Sequence, residues 1–355
     1  MFAVILAGGR GRRFWPASST KKPKQYLSIT GDRSMLSVTY ERLASFIPPE
    51  KIIVITVKEQ VELAREELPD LPGQNFVAEP AGRNTAPALA LGALAVLEKS
   101  DDEPMLACPA DHLILKKENF RYLAKNASGL AEREDLLITF GIMPEYPATG
   151  YGYIEAGEPL GGGELNVLEV VRFHEKPDRE TARNYLDRGG FYWNSGIFVW
   201  RPSVFMEGWS EYLPSGSGPL RIISESAGKP DMEKVIEEQY PRMPSISVDY
   251  GILEKADNVA VIPADLGWND VGSWDSLYDI HGAGGNENVS IGVSETIDTE
   301  GCVFYNPGGF TAAIGVEDLM VVSRNGIVLV CRRGQSQKVR DIVDLIEEKG
   351  YNDIL

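Results

Sequence analysis

The chain has 355 residues, a formal net charge of −17, 43% hydrophobic and 25% charged residues, the balance of a soluble globular protein large enough for one big α/β domain with an appendage, or for two medium domains. Its 52 acidic against 35 basic residues argue against a nucleic-acid-binding surface, which needs a positive footprint. No apolar run approaches the roughly 18 residues of a membrane span; the start MFAVILAGG lacks the basic region and cleavage site of a signal peptide, and Cys108, Cys302 and Cys331 are too scattered for a disulfide framework, so a cytoplasmic protein with reduced core thiols is expected.

Apolar, β-branched runs at 2–7, 51–57, 105–111 and 136–142 read as buried parallel strands. Between them, 35–46, 58–68, 84–99 and 118–133 carry apolar residues at three- and four-residue spacing and read as helices. Strict alternation predicts an α/β fold with a doubly wound, mostly parallel, Rossmann-like sheet, whose ligands sit at strand carboxyl ends. From about 150 to 285 the texture shifts to GYGYIEAG, VLEVVRFHEKP and GIFVWRP, with helical patterns at 178–188, 231–239 and 272–281. This predicts antiparallel strands inserted over the parallel sheet.

The break HGAGGNEN (281–288) places a domain boundary between 1–285 and 286–355. Beyond it Ile291, Ile297 and Val303 recur every six residues, the spacing of a left-handed β-helix, with a plain antiparallel sheet as the alternative. VVSRNGIVLV (321–330) reads as a hairpin around Asn325-Gly326, and 335–350 as a closing helix ended by Gly350.

The stretch LAGGRGRRFWPASSTKKPKQ (6–25) concentrates Arg10, Arg12, Arg13, Lys21, Lys22 and Lys24 in an acidic chain. The Walker pattern G-x-x-x-x-G-K-[ST] is absent. The dinucleotide pattern G-x-G-x-x-G starts at Gly9 and Gly11 but meets Phe14 where its third glycine belongs. What remains is a glycine loop whose backbone amides can approach an anion, with Arg13 and Lys24 adding charge and Pro16 and Pro23 stiffening the chain. Arg10, Arg12, Lys21 and Lys22 are assigned no role.

This stretch is similar to the signature of sugar-nucleotide pyrophosphorylases, and its RFWPxSxxxxPKQ form resembles their mannose-1-phosphate guanylyltransferase branch. The resemblance continues in order through EPAGRNTAPA (79–88), PADH (109–112), EKP (175–177), NSGIFVW (194–200), SVDYGILEK (247–255) and WNDVGSW (268–274). It implies GTP and mannose 1-phosphate as substrates and GDP-mannose and pyrophosphate as products, with Mg²⁺ assisting. The sugar phosphate would attack the α-phosphorus in line, so the protein's work is positioning and charge neutralisation.

By the same resemblance Arg13, Lys24, Asp111, Lys176 and Asp270 are the catalytic set, with Asp111 and Asp270 as the metal carboxylates. Leu6, Ala7, Gly8, Gly9, Gly11, Arg13, Lys24, Glu79, Asn84, Thr85 and Asp111 would bind the nucleotide. Gly150, Tyr151, Glu175, Lys176 and Asn194 would bind the sugar phosphate, with Tyr192, Trp193, Phe198 and Trp200 as core or pocket wall. His112 is read as structural or as a support to Asp111, Asp265 as a decoy, and Asp249 as a residue of unassigned role. The resemblance also implies a homodimer built through the C-terminal β-structure, with no nucleic-acid or membrane partner, and the length leaves no room for the isomerase domain some relatives carry. Two alternatives stay open: another nucleoside triphosphate:sugar-1-phosphate nucleotidyltransferase, or a non-catalytic nucleotide-sugar-sensing subunit on the same fold.

Overall fold

The β-branched runs and the three- and four-residue periodicities do become strands and helices in the computed structural model, which describes residues 1–9, 11–161, 165–281 and 287–355, the side chains of Arg12 and Asn352 excepted. The boundary expected at 285/286 lies outside the described residues. In chain order the first half runs β1 (Phe2–Leu6), α1 (Met35–Ala44), β2 (Ile52–Val57), α2 (Val61–Glu67), β3 (Phe76–Glu79), α3 (Thr85–Leu97), β4 (Met105–Pro109), β5 (Leu113–Ile114), α4 (Lys117–Ala131) and β6 (Leu137–Ile142). There follow β7 (Gly152–Pro159), β8 (Leu168–Glu175), α5 (Arg179–Arg188), β9 (Phe191–Trp200), α6 (Pro202–Tyr212), α7 (Pro214–Glu225), α8 (Met232–Gln239), a π turn (Asp249–Leu253), β10 (Val259–Pro263) and β11 (Trp268–Asn269). The chain closes with α9 (Asp275–His281), β12 (Val289–Ile297), β13 (Val303–Ile314), β14 (Leu319–Arg324), β15 (Ile327–Arg332) and α10 (Val339–Glu348).

Two compact units emerge, both discontinuous in sequence: Met1–Gly8, Thr39–Ala110 and Ile114–Trp268 form the first, and Gly9–Val38, Asp111–Leu113 and Asn269–Leu355 the second. The first holds a nine-stranded sheet in the order β3-β2-β1-β4-β9-β6-β10-β8-β7. Strands β3, β2, β1 and β4 are mutually parallel, as are β6 and β10. Strands β7, β8 and β9 supply the expected antiparallel pairings, and they hydrogen-bond into the sheet itself. Lateral pairing satisfies backbone groups that face-on stacking would leave unpaired.

Strand β9 serves three neighbours: Phe198–Trp200 pair with β4, both ends of the strand pair with β6, and Phe191–Trp193 pair with β7. Gly196, at φ 68°, lies between the two halves, which explains the glycine of NSGIFVW. Helix α3, apolar nearly all round and buried from Ala86 to Val96, crosses the core with Phe2, Val4, Ile53 and Ile55. At Gly92 an added Cβ would meet Val4 Cγ1 at 2.8 Å, so that helix needs a glycine where it passes closest to β1. The short strand β3 and helices α6 and α7 were missed by periodicity.

In the second unit β12, β13 and β14 stack in parallel, and β14 and β15 close as an antiparallel hairpin through Asn325 and Gly326, both at positive φ. Coiled parallel strands therefore replace the plain antiparallel alternative. The register pairs Val289 with Val303 and Val303 with Met320, so one coil takes more residues than a hexapeptide. Ile297 is correspondingly 60% exposed rather than stacked inside.

This unit's core joins the coil to the N-terminal signature: Phe14, Trp15, Leu27 and Ile29 pack with Trp274, Val303, Tyr305, Val322, Val339 and Val343. Trp274 is fully buried with its ring centroid 4.9 Å from Phe14 and 4.8 Å from Tyr305, and its indole N–H donates to the Trp15 carbonyl at 3.1 Å. The Trp15 indole in turn donates to the Ile354 carbonyl at 2.8 Å. Among the described residues no helix is long and apolar enough to cross a membrane. Trp274→Ala is expected to destabilise the second unit by roughly 3–5 kcal/mol, read as a lower midpoint in urea unfolding followed by circular dichroism; an unchanged midpoint would show that the loop does not depend on this packing.

Candidate active site

The glycine loop is folded by its own motif. Gly11 sits at φ 59°, and a Cβ there would lie 2.4 Å from the Lys24 backbone nitrogen, so only glycine allows the loop to close on the PKQ segment. Ser18 donates its hydroxyl to the Gly11 carbonyl at 2.6 Å, and Gln25, itself buried, donates its amide to the Gly9 carbonyl at 3.1 Å. The amides of Gly9 and Gly11 donate to no acceptor among the described residues. That leaves them available to an anion.

Lys24 is held 93% buried, beside the Phe14 ring at 5.7 Å from its centroid. Its ammonium pairs with Asp111 Oδ2 at 2.8 Å and donates to the backbone carbonyl of Asp270 at 2.7 Å. One side chain thus brings together two aspartates that lie far apart in the sequence. Asp270 is shaped locally as well: its Oδ1 accepts the Gly272 amide at 3.0 Å, and Asn269 Oδ1 accepts the Val271 amide at 2.7 Å. The paired Asx turns hold the WNDVG loop in one conformation.

These residues line a cavity of about 540 Å³ whose walls are Gly11, Arg13, Phe14, Lys24, Asp111, His112, Asp270, Gly272 and Arg340. All belong to the second unit. Burial pushes the Asp111 carboxyl up, but the charges of Lys24 and His112 and the Lys24 hydrogen bond outweigh it, leaving it below its ordinary value and ionised. The Arg13 guanidinium is lowered by burial and then by the charge of Arg340, against the opposing pull of Asp270 and Asp111. His112 therefore faces the cavity and supports the Asp111 charge. Asp265 pairs instead with Lys116 and does not line the cavity.

The remaining nucleotide candidates lie in the first unit, apart from Gly9. Leu6 and Ala7 end β1 with their carbonyls accepting from the Ala110 amide and the Thr56 hydroxyl. Glu79, buried at the end of β3, accepts from the Tyr240 hydroxyl, and a Cβ on Gly8 would stand 2.8 Å from Glu79 Oε2. Burial raises the Glu79 carboxyl to about 7, the Tyr240 hydrogen bond opposing, and the Tyr240 hydroxyl is raised by burial and the facing carboxylate. Asn84 caps α3 by accepting the Thr85 amide at 2.9 Å, and the Thr85 hydroxyl accepts the Val248 amide at 2.9 Å.

The sugar-phosphate candidates converge over a glycine that the sequence reading did not single out. In the register of β7 and β8, Gly152 stands opposite Glu175; an added Cβ would be 2.5 Å from Glu175 Oε2 and 3.7 Å from the Asn194 side chain. Lys176 follows at φ 45°, its ammonium, half in solvent, paired with Glu175. Asn194 donates to Asp249 Oδ1 at 2.6 Å and accepts the Gly196 amide at 3.1 Å. Tyr151 sits after Gly150 with its ring edge-on to Trp193 and Trp268, at 5.1 and 5.3 Å. Of the four expected wall aromatics, Phe198 and Trp200 are core, whereas Trp193 touches Tyr151.

A nucleotidyl transferase family model matches residues 2–286, and a MannoseP isomerase/GMP-like beta-helix domain model matches 293–346. Two Escherichia coli proteins, mannose-1-phosphate guanylyltransferase 2 and mannose-1-phosphate guanylyltransferase, are 38% and 39% identical over 98% and 99% of this chain, which spans 73% and 75% of their lengths. The chain belongs to the mannose-1-phosphate guanylyltransferase family. A solved Thermus thermophilus structure described as a mannose-1-phosphate geranyltransferase superposes with a TM-score of 0.89 at 34% identity, covering 98% of this chain and 99% of that one.

Within this guanylyltransferase scaffold, three contributors escaped the sequence reading. Gly152 and Tyr240 act through Glu175 and Glu79, and Arg340 reaches the cavity from α10. Asp249, left unassigned from sequence, is the acceptor that orients Asn194; burial raises its carboxyl, Asn194 opposing and the Glu175 charge reinforcing. Its place at the start of a π turn fits the use of π segments at functional sites.

The buried Glu79 gives a pH signature. In the folded state it keeps its proton to about pH 7, whereas the unfolded chain releases it near 4.5. Stability should therefore fall as pH rises from about 4.5 to about 7 and level off above. Thermal melts across that window should show Glu79→Gln losing this slope; equal slopes in both proteins would refute the assignment.

Proposed function

We propose that this chain joins GTP and α-D-mannose 1-phosphate into GDP-mannose and pyrophosphate. The observation that carries the reading is the cavity in which the ionised Asp111, Asp270, Arg13 and the Lys24 clamp are held together. A nonbridging oxygen of the sugar phosphate attacks the α-phosphorus of GTP; the bond to the α,β-bridging oxygen breaks, and pyrophosphate leaves with the electron pair. No protein nucleophile is required, so the residues act by positioning and by neutralising charge. Gly9 and Gly11 offer amides to phosphate oxygens, Arg13 offers a planar fork, and Lys24 holds the two aspartates in place. Leu6, Ala7 and Gly8 line the strand-end backbone beside the nucleotide, with Glu79, Asn84 and Thr85 near the purine and ribose.

In the same reading Lys176 meets the reacting phosphate of the sugar, Glu175 accepts from a sugar hydroxyl, and Asn194, fixed by Asp249, donates to another. Gly150 and Tyr151 complete that pocket. Among the described residues no group of three or more His, Cys, Asp or Glu side chains is arranged to hold a metal. Two carboxylates lining one cavity do fit Mg²⁺, which takes one or two carboxylates and fills its shell with phosphate oxygens and water. Asp111 and Asp270 would hold it, and it would supply further charge neutralisation at the phosphates. The acidic surface and this polyanion cavity support a small-molecule enzyme of the cytoplasm over a nucleic-acid or membrane partner.

A pyrophosphate-release assay across nucleoside triphosphates and sugar 1-phosphates should give its highest kcat/KM with GTP and mannose 1-phosphate. Another best pair would point to a different sugar nucleotidyltransferase, and binding of GDP-mannose without turnover on any pair to a sensing subunit. Asp111→Asn or Asp270→Asn should each cut turnover by roughly two orders of magnitude or more; Asp270→Asn should do so at nearly unchanged thermal stability, whereas Asp111→Asn should also lower the melting temperature, because it removes the ion pair of the buried Lys24. Full activity in Asp270→Asn would remove it from the metal pair.

A homodimer through the C-terminal coil is part of the same proposal. The parallel pairs Val293–Phe310 and Ile297–Ile314 place four exposed apolar side chains along β12 and β13, a surface that favours burial against a second copy. Light scattering should give twice the chain mass for the wild type and a monomer for the Phe310→Asp, Ile314→Asp double variant; a wild-type monomer would refute it.

A further inference from the structure

We propose that Arg340, carried by the C-terminal helix α10, binds the pyrophosphate end of the nucleotide: the β- and γ-phosphates of the triphosphate in one direction and free pyrophosphate in the other. The inference rests on the guanylyltransferase reading above and extends its site to a residue far outside the signature motifs.

Three cationic side chains of known placement reach the cavity, namely Arg13, Lys24 and Arg340. They are not equivalent. The Lys24 ammonium is committed to Asp111 and to the Asp270 carbonyl, so it organises the aspartates and has little left to offer a ligand. Arg13 and Arg340 make no ion pair with a carboxylate among the described residues. Their like charges oppose each other closely enough that Arg340 is the main charge lowering the Arg13 guanidinium. Two guanidiniums facing one cavity repel each other, and the pull of Asp270 and Asp111 on Arg13 offsets this only in part; an anion between them is favoured, and a diphosphate presents enough oxygens to engage both forks.

Arg340 is also held where such work needs it. Its neighbour Val339 is 2% exposed and Val343 4% exposed, both packed in the core that contains Phe14 and Trp274. Helix α10 contacts the turn Arg12–Phe14 that carries Arg13. The helix is thus rigidly fixed to the phosphate loop while the Arg340 residue itself remains exposed to solvent. A side chain needed only for folding would be buried or paired; this one is neither. The same cavity is lined by Gly11, Arg13 and Lys24 of the glycine loop, which directs Arg340 to the nucleotide's phosphates.

The test is calorimetric titration of inorganic pyrophosphate and of GTP into the wild type, Arg340→Ala and Arg340→Lys, with initial-rate kinetics in parallel. Arg340→Ala should weaken pyrophosphate binding and raise the KM for GTP by roughly ten- to a hundredfold, the size of a lost charge-assisted contact. The KM for mannose 1-phosphate and the melting temperature should not move, and Arg340→Lys should recover part of the loss as a point charge without the fork. The deficit should shrink as salt rises. Wild-type pyrophosphate affinity in Arg340→Ala would overturn the proposal, as would an equal loss for both substrates together with a lower melting temperature. Failure of the wild type to bind either pyrophosphate or GTP would instead overturn the functional reading on which the proposal rests.

Discussion

The geometry of the cavity between Lys24, Asp111 and Asp270 depends on one buried ammonium. A buried ammonium needs acceptors, and the two that Lys24 finds are the Asp111 carboxylate and the Asp270 carbonyl. Neither aspartate has a local reason to meet the other. The ion pair keeps Asp111 ionised, because the favourable charge interaction exceeds the cost of partial burial. Gly11 serves the same contact from the other side, since any side chain there would strike the Lys24 backbone.

That clamp is anchored in an unexpected core. The signature loop packs with the C-terminal coil through Phe14, Trp15 and Trp274, and the last residues return to cap the Trp15 indole through the Ile354 carbonyl. A glycine-rich loop on its own would carry a large conformational entropy cost. Aromatic packing against a stacked β-coil offsets it and converts a flexible motif into a preorganised wall. The coil is therefore part of what shapes the phosphate site, and α10 brings Arg340 to the same cavity.

The first unit orders a second cluster, of hydrogen-bonding side chains around Gly152. Its mixed sheet lets β9 bend at Gly196 and serve both β4 and β7. Gly152 leaves space for the Glu175 carboxylate, while Asp249 fixes which end of the Asn194 amide is donor. The Gly196 amide can only donate, so its partner is the Asn194 carbonyl oxygen and the NH₂ end faces Asp249. The pocket thereby offers an acceptor and a donor side by side.

Much of this was determined by the sequence alone. Alternating periodicity specified the α/β sheet, the Asn325-Gly326 turn specified a hairpin, and the PKQ, PADH, EKP and WND motifs marked the residues of both clusters. Local sequence could do so because turn chemistry, helix capping and hydrophobic period act over a few residues. What it could not express was partnership across long separations. The insertion of β9 between β4 and β6, the length of the β-coil, the packing of the N-terminal loop on the C-terminal core, and the arrival of Arg340 beside Arg13 were decided by tertiary structure. Those choices follow from satisfying buried backbone groups and closing an apolar core, which are properties of the whole chain and of no single segment of it.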